Sequence, residues 1–200
     1  APGDLVASLP RRKMGFAGRL SYDYAGRYLM EVNAGYNGSE NFAKGHKWGF
    51  FPSVAVGWNV SQEAFFEPVK DVISNLKLRA SYGLVGNDQL LDSNNNIIRF
   101  IYMSDITLQS DNLGFTTGDK QQTTLNGPVY TRYQNNDLTW EVGEKLNVGF
   151  DMQLFNSLNI NMDVFREIRR DIFQQRHSIP NYLGTAGTAV YGNLAKVKNS

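Results

Sequence analysis

The first residues to consider are those whose types could bind a metal ion. The segment 92–96 reads Asp-Ser-Asn-Asn-Asn, like the start of a calcium-binding loop. Ile97 stands where such a loop needs glycine, and Met103 stands where it needs the closing bidentate glutamate. His46 and His177 are far apart, and neither has a partner at metal-ligand spacing. We therefore expect no metal site and no cofactor.

The carboxylates and nucleophiles of the sequence do not indicate catalysis. Asp111 with Asp119, or Glu141 with Glu144, could act as an acid and base pair, but such pairs are common on surfaces. The chain has no cysteine, which excludes a thiol nucleophile and a disulfide scaffold. No phosphate-binding loop, nucleophile elbow or triad is visible. We expect that the protein is not an enzyme.

Aromatic residues in polar segments suggest a different chemistry, which is binding of a solute by stacking. Neighbouring Asn, Gln and Asp side chains would supply hydrogen bonds, as in sites for a sugar or a peptide. The alternative for each aromatic residue is packing within its own loop. The candidate residues for a ligand or a partner are Phe42, Trp48, Phe100, Tyr102, Phe115, Tyr130 and Tyr133.

The elements that must position these residues are β-strands. Apolar and polar residues alternate with a period of two over 14–25 and 28–36, around a tight turn at 25–27. The same alternation predicts four further strands, near 48–60, 76–84, 138–155 and 158–164. Residues 61–75 are predicted to hold one helical turn. We expect an all-β antiparallel meander whose strands are longer than the ~5–6 residues usual in globular proteins.

Composition limits the partners and the means of crossing a membrane. A net charge of +1 over 200 residues gives no field that would attract nucleic acid. The uncharged stretch 48–62 contains proline, asparagine and glycine and is too short and polar for a membrane helix. The first residues do not resemble a signal peptide, so we expect any export signal to lie outside this sequence.

The predicted connections alternate between short and long. Turns at 25–27 and 156–157 would lie at one end of the strands, and the long segments 37–47, 87–137 and 169–195 at the other. The segment 87–137 shows no period, so we expect a loop without regular structure. Transmembrane β-barrels have this asymmetry, with short periplasmic turns and long external loops.

Two further groups of residues fit a barrel wall, in which charges face a wet interior and aromatic residues lie near the membrane interfaces. The predicted lumen-facing charges are Arg19, Asp23, Glu31, Lys77, Arg79, Lys145 and Asp151. The predicted interface aromatics are Tyr22, Tyr24, Tyr28, Tyr36, Trp58 and Trp140. Tyrosine and tryptophan also favour strands in soluble proteins, so the grouping is more informative than any one residue.

Three segments resemble a known family. These are 18–58 (GRLSYDYAGRYLMEVNAGYNGSENFAKGHKWGFFPSVAVGW), 73–88 (ISNLKLRASYGLVGND) and 138–165 (LTWEVGEKLNVGFDMQLFNSLNINMDVF). They resemble the late barrel of SusC/RagA-type TonB-dependent receptors, the nutrient importers of the Bacteroidota outer membrane. The resemblance covers about 14–200, and the tail YGNLAKVKNS resembles the approach to a further strand.

The resemblance implies a 22-stranded transmembrane barrel plugged by an N-terminal domain. It also implies import of a nutrient such as an oligosaccharide or peptide, a SusD-like surface lipoprotein as partner, and energy from a TonB complex acting through an N-terminal part. We expect residues 1–200 to be a partial barrel domain of about six strands and part of a seventh, without the plug. It would supply barrel wall and extracellular loops in a Gram-negative outer membrane.

Two other readings stay open at this stage. A soluble carbohydrate-binding β-sandwich also has alternating strands, but it would bury its apolar faces between two sheets. An adhesin or assembly module would use 87–137 as a docking surface. Burial of Leu20, Val32, Val56 and Leu78 discriminates between the first two, because a sandwich buries these side chains and a lipid-facing wall exposes them.

Overall fold

The computed structural model describes residues 9–91, 97–119, 123–176 and 190–200, with backbone alone for 109–115 and 123–124. The calcium-like segment 92–96 and His177 lie outside these ranges. The strands are, in chain order, β1 Lys13–Tyr24, β2 Tyr28–Ser39, β3 Trp48–Asn59, β4 Ile73–Asn87, β5 Asp105–Thr117, β6 Thr123–Arg132, β7 Glu141–Leu154, β8 Leu158–Gln175 and β9 Tyr191–Asn199. Two short 3₁₀ helices, Val60–Gln62 and Ala64–Val69, connect β3 to β4.

Seven of these strands form one antiparallel sheet in the order β1-β2-β3-β4-β7-β8-β9. Because directly opposed residues of an antiparallel pair point to the same face, the register defines the two faces of this sheet. One such row crosses six strands and contains Tyr22, Met30, Val56, Ala80, Val148 and Val164. All six side chains are apolar or aromatic. We call the face that carries this row the apolar face, and the other the polar face.

No layer of the described protein covers the apolar face. Leu20 is 71% exposed, Val56 48% and Leu78 40%, while Val32 is partly exposed. A β-sandwich would bury all four against a second sheet. The only other sheet among the described residues is the hairpin of β5 and β6. The observed exposure excludes the sandwich reading for this chain and is what a lipid-facing wall requires.

The fold follows the sequence prediction for most of the sheet. The turns at 25–27 and 155–157 and the 3₁₀ helices lie at one end of the strands, and the long connections lie at the other. The predicted helical turn within 61–75 is present as 3₁₀ helix. β9 supplies the seventh strand. None of the helices in the described ranges is long and apolar enough to cross a membrane.

The prediction for residues 87–137 was wrong. This segment contains the hairpin of β5 and β6, which pairs separately from the main sheet. Its register shifts three times, between Asp105 and Ile106, Thr107 and Ser110, and Ser110 and Phe115. Each shift interrupts the regular pairing of the two strands, so the alternation that identifies a strand in the sequence is interrupted too.

The limits of the predicted connection 169–195 were also wrong. β8 continues to Gln175, and β9 already begins at Tyr191. Pairing passes through a register shift between Arg169 and Ile172, where Asp171 adopts a φ of 58°. The apolar pattern of β8 ends before the strand does, and the sequence therefore gave no signal for its last residues.

At the short-turn end, the Glu63 side chain contacts β2, β3 and the turn at 25–27. The Trp58 indole Nε1 donates a hydrogen bond to its carboxylate at 3.2 Å, and Arg27 Nη1 lies 3.6 Å away. Hydrogen bonds from the Tyr28 hydroxyl and the Trp58 indole, with the nearby Arg27 guanidinium, hold the pKa of Glu63 below its usual range. Glu63 lies outside the strands, between β3 and β4, with a side chain 12% exposed.

This depressed pKa predicts a pH-dependent contribution to stability. Because the folded-state pKa lies below the unfolded-state value, the ionised Glu63 stabilises the fold above the unfolded-state pKa, and the contribution is lost as pH falls through the folded-state value. We expect Glu63→Gln to lower the melting temperature of the intact protein at pH 7. Below the folded-state pKa of Glu63, where its carboxylate is protonated, the substitution should have little effect. Thermal unfolding of both forms across pH 3–7 measures the difference.

Glu67→Gln is the matched control, since Glu67 lies in the same connection but is 71% exposed and, within the described residues, forms an ion pair only with Lys70. It should change the melting temperature little at any pH. Equal effects of the two substitutions at pH 7 would show that Glu63 does not join the elements as described.

Candidate functional site on the polar face and the long loops

The polar face carries ion pairs that cross between strands. Arg79 on β4 lies 2.8 Å from Asp163 Oδ2 on β8 and 3.2 Å from Asp151 Oδ1 on β7. Arg19 on β1 pairs with Glu31 on β2. The five side chains of these pairs are each about a third or more exposed to solvent. The pairs therefore stabilise the sheet only weakly, by up to about 1 kcal/mol each. A surface of this kind suits contact with water.

The other predicted polar-face charges lie on the same face by register. Lys145 is 3.9 Å from Glu167, and Lys77 lies opposite Asp151 on the neighbouring strand. Asp23 differs from them, because its Oδ1 accepts a hydrogen bond from the Gly26 amide at 2.7 Å. Asp23 therefore stabilises the turn at 25–27 at the short-turn end.

A polar groove of about 220 Å³ lies on this face near the long-loop end of β4, β7 and β8. Arg169 Nε donates to Glu167 at 2.8 Å, and Asn87 Nδ2 donates to Glu141 at 3.2 Å. Lys145 also lines the groove. These acceptors and donors could bind the hydroxyl or amide groups of a solute. The sequence analysis missed Glu167 and Arg169, although alternation continued beyond 164 would have placed both on the polar face.

Three of the long connections pack together at that end of the sheet. Their side chains form a buried cluster, which we call the loop core, of Phe42, Leu90, Ile101, Leu138 and Trp140. Phe51 of the polar face, Phe173 of β8 and Tyr191 of β9 pack against it. The contact with Phe51 places the loop core on the polar side of the sheet.

Polar contacts reinforce the loop core. Arg99 Nη2 lies 2.7 Å from Glu40 Oε1, and the Arg99 side chain is 8% exposed. Arg99 Nη1 also donates to the Leu9 carbonyl at 2.8 Å. Lys13 Nζ pairs with Asp88 at 2.7 Å. These bonds join the connection after β4 to the start of β1 and to the connection after β2.

Two predicted site residues are buried. Phe42, a candidate ligand residue, is fully buried (0% exposed). Trp140, a predicted interface aromatic, is 7% exposed; its indole Nε1 donates to the Lys47 carbonyl at 3.2 Å, and its ring packs on Phe51 at 5.2 Å. Both are part of the loop core, because residues distant in sequence fold over them. They are not available to a ligand or to lipid.

The remaining candidate aromatics of the loops are not gathered at one point. Phe100 lies under the Arg99 guanidinium, 4.9 Å from its ring centre, and Tyr102 is partly exposed. Tyr130 and Tyr133 stack at 5.3 Å with an interplanar angle of 21°. The side chain of Phe115 lies outside the described atoms. The Tyr130–Tyr133 pair is the best candidate stacking surface that remains.

Four of the predicted interface aromatics, Tyr22, Tyr24, Tyr28 and Trp58, lie at the lower, short-turn end of the apolar face. Tyr28 stacks on Tyr24 at 6.4 Å and on Trp58 at 6.3 Å. Tyr22, one row above, is also exposed.

A second aromatic cluster lies at the upper, long-loop end of the same face. Trp48 stacks on Tyr36 at 4.8 Å and on Phe16 at 6.5 Å. Trp48, predicted as a ligand residue, therefore belongs to the apolar face. Tyr28 and Tyr36 are eight residues apart on β2, or about 26 Å along a strand, which a tilt of ~35–45° reduces to about 20 Å. This approaches the ~25 Å apolar band of membrane barrels.

The described residues include no group of three or more His, Asp or Glu side chains placed to bind a metal ion.

The loop core predicts which part of the chain is held by buried apolar contact. Leu138→Ala should destabilise the loop core by about 2–5 kcal/mol, because Leu138 is 1% exposed and its loss leaves a cavity. Amide hydrogen exchange in the intact protein should then accelerate at 88–91, 97–104 and 138–140, while the strands of the main sheet stay protected.

Leu108→Ala is the control, since Leu108 is 75% exposed on β5. It should leave exchange at 88–91 and 97–104 unchanged. Unchanged exchange after Leu138→Ala, or faster exchange throughout the sheet, would contradict a separate loop core.

Comparison with known proteins assigns this architecture to a family. Residues 7–200 match the sequence model described as TonB dependent receptor-like, beta-barrel. The chain is 33% identical over 183 residues to the TonB-dependent receptor P3 of Formosa agariphila, an alignment covering 91% of this chain and 16% of that protein. It is 31% identical over 141 residues to the TonB-dependent receptor SusC of Bacteroides thetaiotaomicron, covering 70% of this chain and 13% of SusC.

A solved structure shows the same fold. The RagAB peptide importer in the open-open state superposes with a TM-score of 0.71 at 19% identity, over 93% of this chain and 18% of that one. This chain thus spans less than a fifth of each of these relatives. The two-faced sheet, the short turns and the long loops agree with the family match, and the chain belongs to the β-barrel family of TonB-dependent receptors.

Proposed function

We propose that this chain is part of an outer-membrane receptor that imports a nutrient with energy from a TonB complex. In this proposal the seven-stranded sheet is barrel wall, with its apolar face in lipid and its polar face toward a water-filled lumen. The observation that carries the proposal is the continuous, exposed apolar face bounded by aromatic clusters at both ends. Bacterial outer membranes contain barrels of this construction.

The direction of the wall follows from its connections. Short turns are typical of the periplasmic ends of outer-membrane barrels and long loops of the extracellular ends. The turns at 25–27 and 155–157 therefore face the periplasm in this proposal. The loop core, the polar groove and the Tyr130–Tyr133 pair lie toward the outside, where a solute would first be bound.

The nutrient is proposed to be an oligosaccharide or a peptide. Stacked tyrosines suit sugar rings and aromatic peptide side chains, and the Glu, Asn, Lys and Arg side chains of the groove suit hydroxyl and amide groups. The structurally similar RagAB is a peptide importer, which supports the peptide class. The likeness to SusC and RagAB supports a SusD-like surface lipoprotein above the long loops as a partner, and TonB would act through another part of the receptor.

A charge placed on either face tests the orientation of the wall. Val54 lies on the apolar face about midway between Trp48 and Trp58, and Ala55 is the next residue, on the polar face. Val54→Arg should destabilise the receptor in lipid vesicles by about 2–4 kcal/mol, because arginine near the bilayer midplane is costly. Ala55→Arg, which faces Glu31, should change stability by less than about 1 kcal/mol.

Urea unfolding of the full receptor in vesicles measures both values. Equal effects of the two substitutions would contradict a wall with one lipid face and one wet face.

Import itself is tested in cells that carry or lack the gene. Cells are given a tryptic casein digest or a mixture of glucose oligosaccharides, and mass spectrometry follows the disappearance of each from the medium. Loss of the gene should slow uptake of one of the two mixtures at least several-fold, and a protonophore should abolish the difference. Identical uptake of both mixtures with and without the gene would contradict the proposed nutrient classes.

A further inference from the structure

Basic side chains interrupt the apolar face near the long-loop end of β8 and β9. Arg166 lies opposite Leu146 of β7, which in turn lies opposite Tyr82 of β4. Lys198 lies opposite Ile168. Leu146, Tyr82 and Ile168 all belong to rows of the apolar face. Arg170 is four residues beyond Arg166 in the same strand and lies opposite Val142, and Lys196 is two residues before Lys198; by alternation both lie on this face. We call Arg166, Arg170, Lys196 and Lys198 the basic patch.

The basic patch carries more positive charge than its surroundings neutralise. Glu144, on the same face, pairs with Arg170. Arg166, Lys196 and Lys198 are exposed and form no ion pair with any residue in the described part of the chain, and Asp171 beside them forms none either. Counting both acids against four cations leaves the patch positive.

The patch lies at a definite height on the wall. Arg166 is eight residues from Leu158, where β8 leaves its short turn, just as Tyr36 is eight residues from Tyr28 on β2. Arg166 is therefore about 26 Å along its strand from the short turn, as far as Tyr36 is along β2. Below it, Met162 and Val164 are exposed and apolar. The patch begins where the apolar band ends, at the depth of lipid headgroups rather than of acyl chains.

We propose that the basic patch binds the phosphate groups of anionic lipids in the leaflet at the long-loop end. The proposal rests on the proposed function, because this face meets a bilayer only if the sheet is barrel wall. One guanidinium group can donate hydrogen bonds to two oxygens of the same phosphate, and an ammonium group adds a positive point charge. A solute in the lumen would be on the opposite side of the sheet. Continuity with the lipid-facing band and complementarity of charge both favour a lipid headgroup.

The effect to be expected is a loss of affinity for anionic lipid. Each basic residue near an anionic surface contributes roughly fivefold to binding, so two residues contribute roughly 25-fold. The full receptor is purified in a mild non-ionic detergent and titrated with phosphatidic acid or with phosphatidylcholine, and native mass spectrometry counts the bound lipids. Arg166→Gln with Lys198→Gln should weaken binding of phosphatidic acid roughly 25-fold and leave phosphatidylcholine unaffected.

Two controls hold the charge change and the fold constant. Lys44→Gln with Lys70→Gln removes the same charge from positions outside the strands, of which Lys44 is exposed and Lys70 partly exposed, and should not alter either affinity. Arg166→Lys keeps the charge and should retain most of the binding. Unaltered binding of phosphatidic acid by the Arg166 and Lys198 double variant would overturn the proposal.

Three other outcomes are decisive. Equal loss for both lipids would indicate altered packing and overturn the charge-based account. Displacement of phosphatidic acid by millimolar inorganic phosphate would indicate a site for soluble anions and overturn the lipid assignment. Extraction of the wild-type receptor from membranes by alkaline carbonate, tested first, would reject the proposed function itself. If the wild-type receptor stays in the membrane and the Arg166 and Lys198 double variant binds phosphatidic acid as well as the wild type does, only the basic patch is rejected.

Discussion

The structure depends on one constraint, which is that the apolar face of a seven-stranded sheet has no protein layer over it in the described part of the chain. In water, large exposed side chains such as Leu20 and Val164 would drive association, because a contiguous apolar surface of this size is unfavourable. In a bilayer the same surface is solvated by lipid. The backbone is paired across the sheet, which lipid also requires. The match to a family of β-barrel receptors also supports a bilayer as the environment of this face.

The opposite face obeys a different rule. Its ion pairs, such as Arg79 with Asp151 and Asp163, keep much of their exposure. Burial of these charges between protein layers would cost several kcal/mol for each ion. A wet lumen removes that cost and leaves the side chains free to contact a solute. The long connections close over the long-loop end of this face through the loop core, which is a cluster of buried apolar side chains.

The sequence predicted the main sheet because a strand whose two faces meet different solvents alternates apolar and polar residues with a strict period of two. It failed where that period carries no information. The hairpin of β5 and β6 changes register three times, and its alternation is lost. Phe42 and Trp140 resemble exposed loop and interface residues locally, and they are buried only because segments about 100 residues apart meet. No local pattern encodes such a contact. The end of β8 was missed because pairing continues beyond the membrane band.

The central claim is that neighbouring residues of one strand face lipid and water in turn. Single cysteines at 17–23 of β1, in the full receptor reconstituted in vesicles, can carry a nitroxide label whose collisions with oxygen and with a nickel chelate are measured by electron paramagnetic resonance. Oxygen access should be highest at 18, 20 and 22, and nickel access at 17, 19, 21 and 23. High nickel access at every position, or shielding of 18, 20 and 22 from both reagents, would contradict a lipid-facing wall.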